Sequence, residues 1–151
     1  MSLVGKLVSE LEINIPAEKY YKVFKDQCFH VPKITPKIIQ HVEIHDGDWD
    51  SHDHGSIKTW HYTVDGKSEV FKERVEFHDE KFMVVLVGLE GDLFNHYKTF
   101  KPVCQVVPKG PSHCLAVLTI EYEKLDDGSP YPFKYIDLMN GITKDIESHL
   151  K

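Results

Sequence analysis

The chain has 151 residues, of which 41% are hydrophobic and 28% charged, values that exclude a disordered or fibrous protein and fit one globular domain. A net charge of -6 with interspersed signs leaves no positive stripe for a phosphate backbone, so we expect no nucleic-acid partner. The three cysteines lack CxxC spacing, which favours reduced thiols. The longest apolar run, Phe82–Leu89, is too short to span a membrane, and the first residues do not resemble a signal peptide, so we expect a cytoplasmic protein without membrane insertion.

The predicted elements begin with a strand and two short helices. The segment from Leu3 to Ile15 alternates apolar and polar residues, as a half-buried strand does. Pro16 then suits the first position of a helix. The apolar residues that follow at helical spacing are Tyr20, Val23, Phe24 and Cys28. Pro32 and Pro36 then interrupt the pattern, so two short helices are predicted.

The segment from Ile38 to Tyr122 carries regular turn signals between stretches rich in Val, Phe, Tyr and Thr, and it predicts six consecutive strands. Asp65-Gly66 is the clearest signal. A type I′ turn needs positive φ at both central residues, which Asp and Gly tolerate.

A long C-terminal helix is predicted to end at Lys151, with Ser129 as its N-cap and Pro130 as its first residue. Its expected length is about 30 Å. One stripe of the helical wheel is apolar and is expected to be buried: Tyr135, Leu138, Met139, Ile142, Ile146 and Leu150. Polar residues that include Asn140 and Glu147 face away from it. The order of elements predicts an α+β fold, an antiparallel sheet curled around the terminal helix.

Strand alternation predicts which side chains face this helix. Between His113 and Lys124 the inward set is Cys114, Ala116, Leu118 and Ile120, small enough to leave space. Between Glu69 and Phe77 the inward set is Phe71, Val75 and Phe77, with Glu73 as the one inward charge.

The segment from Ile57 to Val64 is undecided, because both of its faces mix apolar and polar groups. If Lys58, Trp60 and Tyr62 point inward, Lys58 and Glu73 would compensate each other and form the polar end of an apolar pocket. Such a pocket would suit an amphipathic ligand. The same alternation also describes a fully packed core.

Several stretches of the chain resemble the plant major latex protein-like family, in the superfamily typified by the birch pollen allergen. The resemblance covers nearly the whole chain and is carried by residues 41–49, 55–58, 60–67 (Trp-His-Tyr-Thr-Val-Asp-Gly-Lys), 90–93, 97–100, 120–125 and 143–147. It implies one domain over residues 1–151, in which a seven-stranded antiparallel sheet grips a long C-terminal helix and two short helices close one end over a large cavity (a helix-grip, START-like fold).

The resemblance also implies a function: holding a sterol, phytohormone, flavonoid, fatty acid or lysolipid in plant defence or stress responses, without a cofactor, as a monomer or weak dimer. Carried over by position, the pocket wall comprises Phe24, Lys58, Trp60, Tyr62, Phe71, Glu73, Val84, Leu86, Tyr97, Thr99, Ala116, Leu118, Ile120, Tyr135, Leu138, Met139 and Ile142.

Competing functions stay open at the level of sequence. Some proteins of this superfamily are enzymes of alkaloid synthesis, so Lys58, Glu73 and Tyr97 are alternative acid and base groups. Ribonuclease activity lacks a paired-histidine signature. In the loop from Asp46 to Gly55, histidines and aspartates are of metal-ligand type, but a solvated loop is the simpler interpretation. The same aspartates would repel a phosphate.

Overall fold

A computed structural model describes residues 3–151. Its seven strands are β1 Val4–Ile13, β2 Ile39–His45, β3 Ile57–Val64, β4 Lys67–His78, β5 Met83–Gly91, β6 Tyr97–Gly110 and β7 His113–Lys124. They form one antiparallel sheet in the order β1-β7-β6-β5-β4-β3-β2, so the prediction of six consecutive strands after the helices is confirmed. At the β3–β4 hairpin, φ is 50° at Asp65 and 76° at Gly66, as a type I′ turn requires.

Three α-helices cover one face of the sheet: α1 Ala17–Lys25, α2 Val31–Ile34 and α3 Phe133–Leu150. Strands β1 and β2 are consecutive in the chain but lie at opposite edges of the sheet, and α1 and α2 make the connection. Both short helices contact α3, which itself lies against β1 and β7. Within residues 3–151, none of the helices is both long and apolar enough to span a bilayer.

For β4 and β7, the strands whose inward face could be predicted from the sequence, the predicted alternation of buried and exposed side chains is confirmed. Cys114, Ala116, Leu118 and Ile120 are buried on β7, and Glu73 is buried among the inward residues of β4. The structure also decides the face of β3, because Lys58, Trp60, Tyr62 and Val64 are all buried.

The predicted start of the long helix is wrong. Ser129 belongs to the preceding turn, where its backbone N–H donates to Asp126 O at 3.2 Å. Pro132 is the N-cap, and Tyr135 and Ile136 donate to its carbonyl oxygen. A proline disfavours helical geometry in the residue before it, so the helix begins only after the second proline of the Pro130-Tyr131-Pro132 sequence. Pro16 likewise precedes its helix as the N-cap.

The buried face of α3 is wider than the predicted stripe. Tyr135, Met139 and Ile146 are buried, Leu138, Ile142 and Leu150 are half-buried, and Ile136 and Thr143 are buried as well. Two residues predicted to face away instead bond to the β1 side of the sheet. Asn140 Oδ1 accepts a hydrogen bond from Ser9 at 2.8 Å, and Glu147 Oε2 accepts one from the N–H of Asn14 at 2.7 Å.

Candidate functional site

An apolar cavity of about 100 Å³ lies between the sheet and α3, smaller than the large cavity that the resemblance implied. Every layer of the fold contributes to its wall. The lining residues are Tyr20, Phe24 and Val31 from α1 and α2, Ile39, Trp60, Tyr62, Phe71, Leu86, Phe100, Pro102 and Cys104 from the strands, Leu93 from the turn after β5, and Tyr135, Leu138, Met139, Ile142 and Thr143 from α3. A site assembled in this way exists only in the folded chain.

The cavity lies over the part of the sheet that α3 covers less closely. The helix packs mainly against β1 and β7 and reaches β3, β4 and β6 with fewer contacts, and the strands that line the cavity are β2 to β6. The strands β5 and β6 pair only over Met83–Val85 and Val103–Gln105, and the cavity wall includes Leu86 and Pro102 just beyond that short ladder.

Of the residues expected to form the pocket wall, the structure brings these to the cavity: Phe24, Trp60, Tyr62, Phe71, Leu86, Tyr135, Leu138, Met139 and Ile142. Their role as ligand contacts stays a prediction. Most of them lie on strand faces or helix stripes with clear periodicity in the sequence. The exceptions are Trp60 and Tyr62, because the inward face of β3 was undecided.

The other expected wall residues lie elsewhere. Ala116, Leu118 and Ile120 are buried on β7, against which α3 packs, and Val84 is buried in the core without lining the cavity. Thr99 is exposed, so its inward placement is wrong. The β6–β7 register shifts between Tyr97 and Thr99, and a bulge of this kind moves the following side chains to the opposite face.

The bulge also explains part of what sequence reasoning missed. After it, Phe100, Pro102 and Cys104 alternate inward, and the two-residue spacing from Phe100 to Val106 was the available signal. Thr143 was missed because it is polar, although it lies on the buried side of α3. The remaining lining residues absent from the prediction are Tyr20, Val31, Ile39 and Leu93.

The polar atoms of the cavity wall are bonded to one another or to groups behind the wall. The hydroxyls of Tyr20 and Thr143 lie 2.8 Å apart. The hydroxyls of Tyr62 and Tyr135 both donate to Glu69 Oε1, at 2.9 and 2.8 Å, and so join the sheet to α3. Burial, followed by this carboxylate, raises the pKa of Tyr62 well above its ordinary value, so the phenol stays protonated as a donor.

A buried polar chain lies behind the wall, next to Trp60. Trp60 Nε1 donates to Glu73 Oε1 at 3.1 Å, and the Lys58 amino group contacts the same oxygen at 2.9 Å. The side chains of Lys58 and Glu73 are 1% and 0% exposed. Neither residue lines the cavity. The expected polar end of the pocket therefore lies next to the wall, beside Trp60, which lines the cavity and is hydrogen-bonded to Glu73.

His52 extends this chain toward the surface. Its Nδ1 lies 2.9 Å from the carbonyl oxygen of Lys25 and must donate there, which leaves Nε2 to accept from Lys58 Nζ at 2.9 Å. Burial, then the charge of Lys58, lowers the pKa of His52 below its ordinary value. Burial raises the pKa of Glu73, and the adjacent Lys58 and the Trp60 N–H oppose that rise.

The arrangement does not assemble the three proposed acid and base groups. Tyr97 donates its hydroxyl to Pro130 O at 2.8 Å and packs against Phe100 and Tyr135. It bonds neither to Lys58 nor to Glu73, and none of the three residues lines the cavity.

Backbone N–H groups of the loop between β2 and β3 donate hydrogen bonds to side chains of the same loop. The backbone N–H of Ser51 donates to Asp48 at 3.2 Å and that of His54 donates to Asp53 at 2.8 Å, so these donors are not available to cradle a phosphate. Among residues 3–151, no group of three or more His, Cys, Asp or Glu side chains is arranged to hold a metal ion.

Comparison with known proteins gives the same fold over the whole chain. Residues 2–151 match the family described as the pathogenesis-related protein Bet v 1 family. The chain is 38% identical to MLP-like protein 328 of Arabidopsis thaliana, over 99% of this chain and 98% of that protein. It is 39% identical to major latex protein 146 of Papaver somniferum, over 98% and 92% of the two chains.

Solved structures agree. The crystal structure of major latex-like protein 151 from Panax ginseng has a TM-score of 0.92 and 32% identity, covering 98% of both chains. Norcoclaurine synthase from Thalictrum flavum has a TM-score of 0.76 over 98% of this chain and 87% of its own, but at 18% identity it shows the shared fold alone. The chain therefore belongs to the Bet v 1 family, and within it to the major latex protein-like branch.

Proposed function

We propose that this protein binds an apolar or amphipathic small molecule in the cavity between the sheet and α3. The observation that carries the proposal is a wall built from every layer of the fold, with its polar atoms already hydrogen-bonded. Such a wall offers a guest mainly apolar surface, which is the usual character of small-molecule sites.

The volume of the cavity limits what it holds without rearrangement. Drug-sized ligands occupy pockets of roughly 300–1,000 Å³. A cavity of about 100 Å³ is closer to one that takes a single aromatic ring. A sterol or acyl chain therefore requires side chains or helices to move apart, and α1 and α2, which are short and close the wall, are the elements best suited to move.

The expected affinity follows from the apolar area buried. Burying about 300 Å² of ligand surface at ~25 cal/mol/Å² gives roughly 7 kcal/mol before the costs of association. Taken directly, about 7 kcal/mol corresponds to a Kd of about 10 μM, and the costs of association weaken it, so we expect binding no tighter than micromolar from apolar burial alone. Apolar burial by itself discriminates little among guests. The biological setting that we propose is a defence or stress response in plant cytoplasm, and the description of the family as pathogenesis-related supports the defence role.

Titration with a neutral fluorescent probe such as Nile red tests the proposal. We expect saturable binding by the wild-type protein, and at least a tenfold loss in Ile142→Trp, whose ring occupies the cavity. Leu89→Trp is the matched control, because Leu89 lies on β5 outside the cavity wall and is 37% exposed.

The control should bind the probe as the wild type does. Thermal unfolding of each variant separates loss of the cavity from loss of the fold, since overpacking costs about 1–3 kcal/mol. Absence of probe binding by the wild type, or equal binding by Ile142→Trp and Leu89→Trp, would refute the cavity as the site.

A further inference from the structure

One buried acceptor next to the cavity has no protein partner. Among the buried side-chain nitrogen and oxygen atoms of residues 3–151, Glu73 Oε2 is the one without a hydrogen bond. Its neighbour Oε1 takes both Lys58 and Trp60. A buried carboxylate oxygen without a hydrogen-bond donor keeps the full cost of its desolvation, so a guest that donates a hydrogen bond to this atom gains binding free energy.

The position of Glu73 directs this acceptor to the cavity side of the sheet. Glu73 lies two residues from Phe71 on the same face of β4, and Phe71 lines the cavity. Trp60, which also lines the cavity, is hydrogen-bonded to the same carboxylate. The carboxylate that carries the open acceptor is therefore a direct neighbour of two wall residues, Phe71 along β4 and Trp60 across the β3–β4 pairing.

The charges around the cavity disfavour an anionic guest. Two carboxylates border it, since Glu69 accepts from two wall tyrosines and Glu73 accepts from Trp60. The nearby cationic side chain, Lys58, is already in contact with Glu73 and His52. A ligand carboxylate would thus meet like charge in a poorly hydrated site, which costs binding free energy.

Several hydroxyls on one guest are disfavoured for a different reason. The hydroxyls of the wall and the indole N–H are engaged with protein acceptors, so additional polar groups of the guest would be buried without partners.

We propose that the cavity selects molecules with an apolar body and a single hydroxyl, and that Glu73 Oε2 accepts the hydrogen bond from that hydroxyl. This inference rests on the proposed function and narrows its ligand class to alcohols, sterol-like or linear, rather than fatty acids or polyhydroxylated flavonoids.

Competition against the neutral probe tests the selectivity with three ligands of similar size. 1-Octanol offers a donor, heptyl methyl ether is its isomer without an O–H, and octanoate is an anion. At about pH 7.5 we expect octanol to bind roughly tenfold more tightly than the ether, and octanoate to bind most weakly.

A double variant tests the role of Glu73. Lys58→Met with Glu73→Leu replaces the buried pair with apolar groups of similar volume, a change that folded proteins often tolerate. We expect the preference for octanol over the ether to fall to about one. Glu76→Leu, on the outward face of β4, is the control and should keep the wild-type preference.

The outcomes separate this inference from the proposed function. Equal binding of octanol and the ether, or tighter binding of octanoate, would overturn the inference and leave the cavity as a binding site. Failure of all three ligands to displace a bound probe would contradict both. A double variant that keeps the octanol preference would remove Glu73 from the explanation. If that variant does not fold, the wild-type ranking still decides the ligand class.

Discussion

Replacement of Lys58 by Met is expected to destabilise the protein strongly, because it leaves Glu73 buried without its cation. The two groups are 2.9 Å apart and almost fully excluded from solvent. At an effective dielectric constant of about 20, a charge pair at this distance attracts by about 6 kcal/mol, which roughly offsets the desolvation of both groups. Removing one partner loses the attraction and keeps the desolvation of the other.

The expected cost is about 3–5 kcal/mol. For a chain of this length, about 3 kcal/mol corresponds to a fall in Tm of roughly 10 °C. Burial raises the pKa of Glu73 above its unfolded value, and Lys58 opposes that rise. Without Lys58 the folded protein favours protonated Glu73 more strongly, so the deficit grows as the pH rises through the folded pKa and is smaller at about pH 5 than at about pH 8.

Urea unfolding of wild type, Lys58→Met and Lys98→Met at both pH values measures the effect. Lys98 is the control because its pair with Glu123 has an N–O distance of 3.8 Å and its side chain is 68% exposed, so its loss should cost less than about 1 kcal/mol. Lys58→Met no less stable than Lys98→Met, or a deficit that is larger at acidic pH, would refute this account of the buried pair.

Three further changes test other parts of the structure. Tyr135→Phe removes one of two hydroxyls bound to Glu69 and should cost about 1 kcal/mol, measured by urea unfolding; no change would mean that this link does not hold α3. Gly88→Ala should destabilise by roughly 1–3 kcal/mol, because its Cβ would lie 2.5 Å from the carbonyl oxygen of Phe100, whereas Gly110→Ala has room and should be nearly neutral by thermal unfolding. The pKa of His52 is lowered in the folded state, so its contribution to stability is present above the unfolded pKa of about 6.5 and is lost as the pH falls. The stability difference between wild type and His52→Gln should therefore shrink from about pH 7.5 to about pH 5, and a constant difference would argue against it.

Much of the sheet could be predicted because side chains alternate between the two faces of a strand, so that only two assignments of the inward set are possible for each strand. In β7 all inward positions are apolar, so the phase was clear from the sequence. In β3 the inward face carries Lys58 beside Trp60, and only pairing with β4, which sets Lys58 opposite Glu73, decides it. A buried ion pair across two strands is invisible to a pattern read along one strand.

Local irregularities set the limits of the prediction of the site. The bulge near Thr99 changes the phase of β6, and the one sequence signal for it is that the alternation from Phe100 to Val106 is out of phase with Tyr97. Whether α3 covers β7 or the middle of the sheet depends on packing between distant elements. Gly141 shows the same dependence: a Cβ there would lie 2.8 Å from Ile38 Cδ1, a contact between α3 and the residue just before β2.

A crystal structure of the protein grown with 1-bromooctane tests directly whether the sheet and α3 enclose a space that admits an apolar guest. We expect a bromine anomalous peak inside the cavity, bounded by Leu86, Leu138 and Ile142. A peak found only on the outer surface of the sheet, or crystals in which protein side chains fill that space and no bromine is bound there, would contradict it.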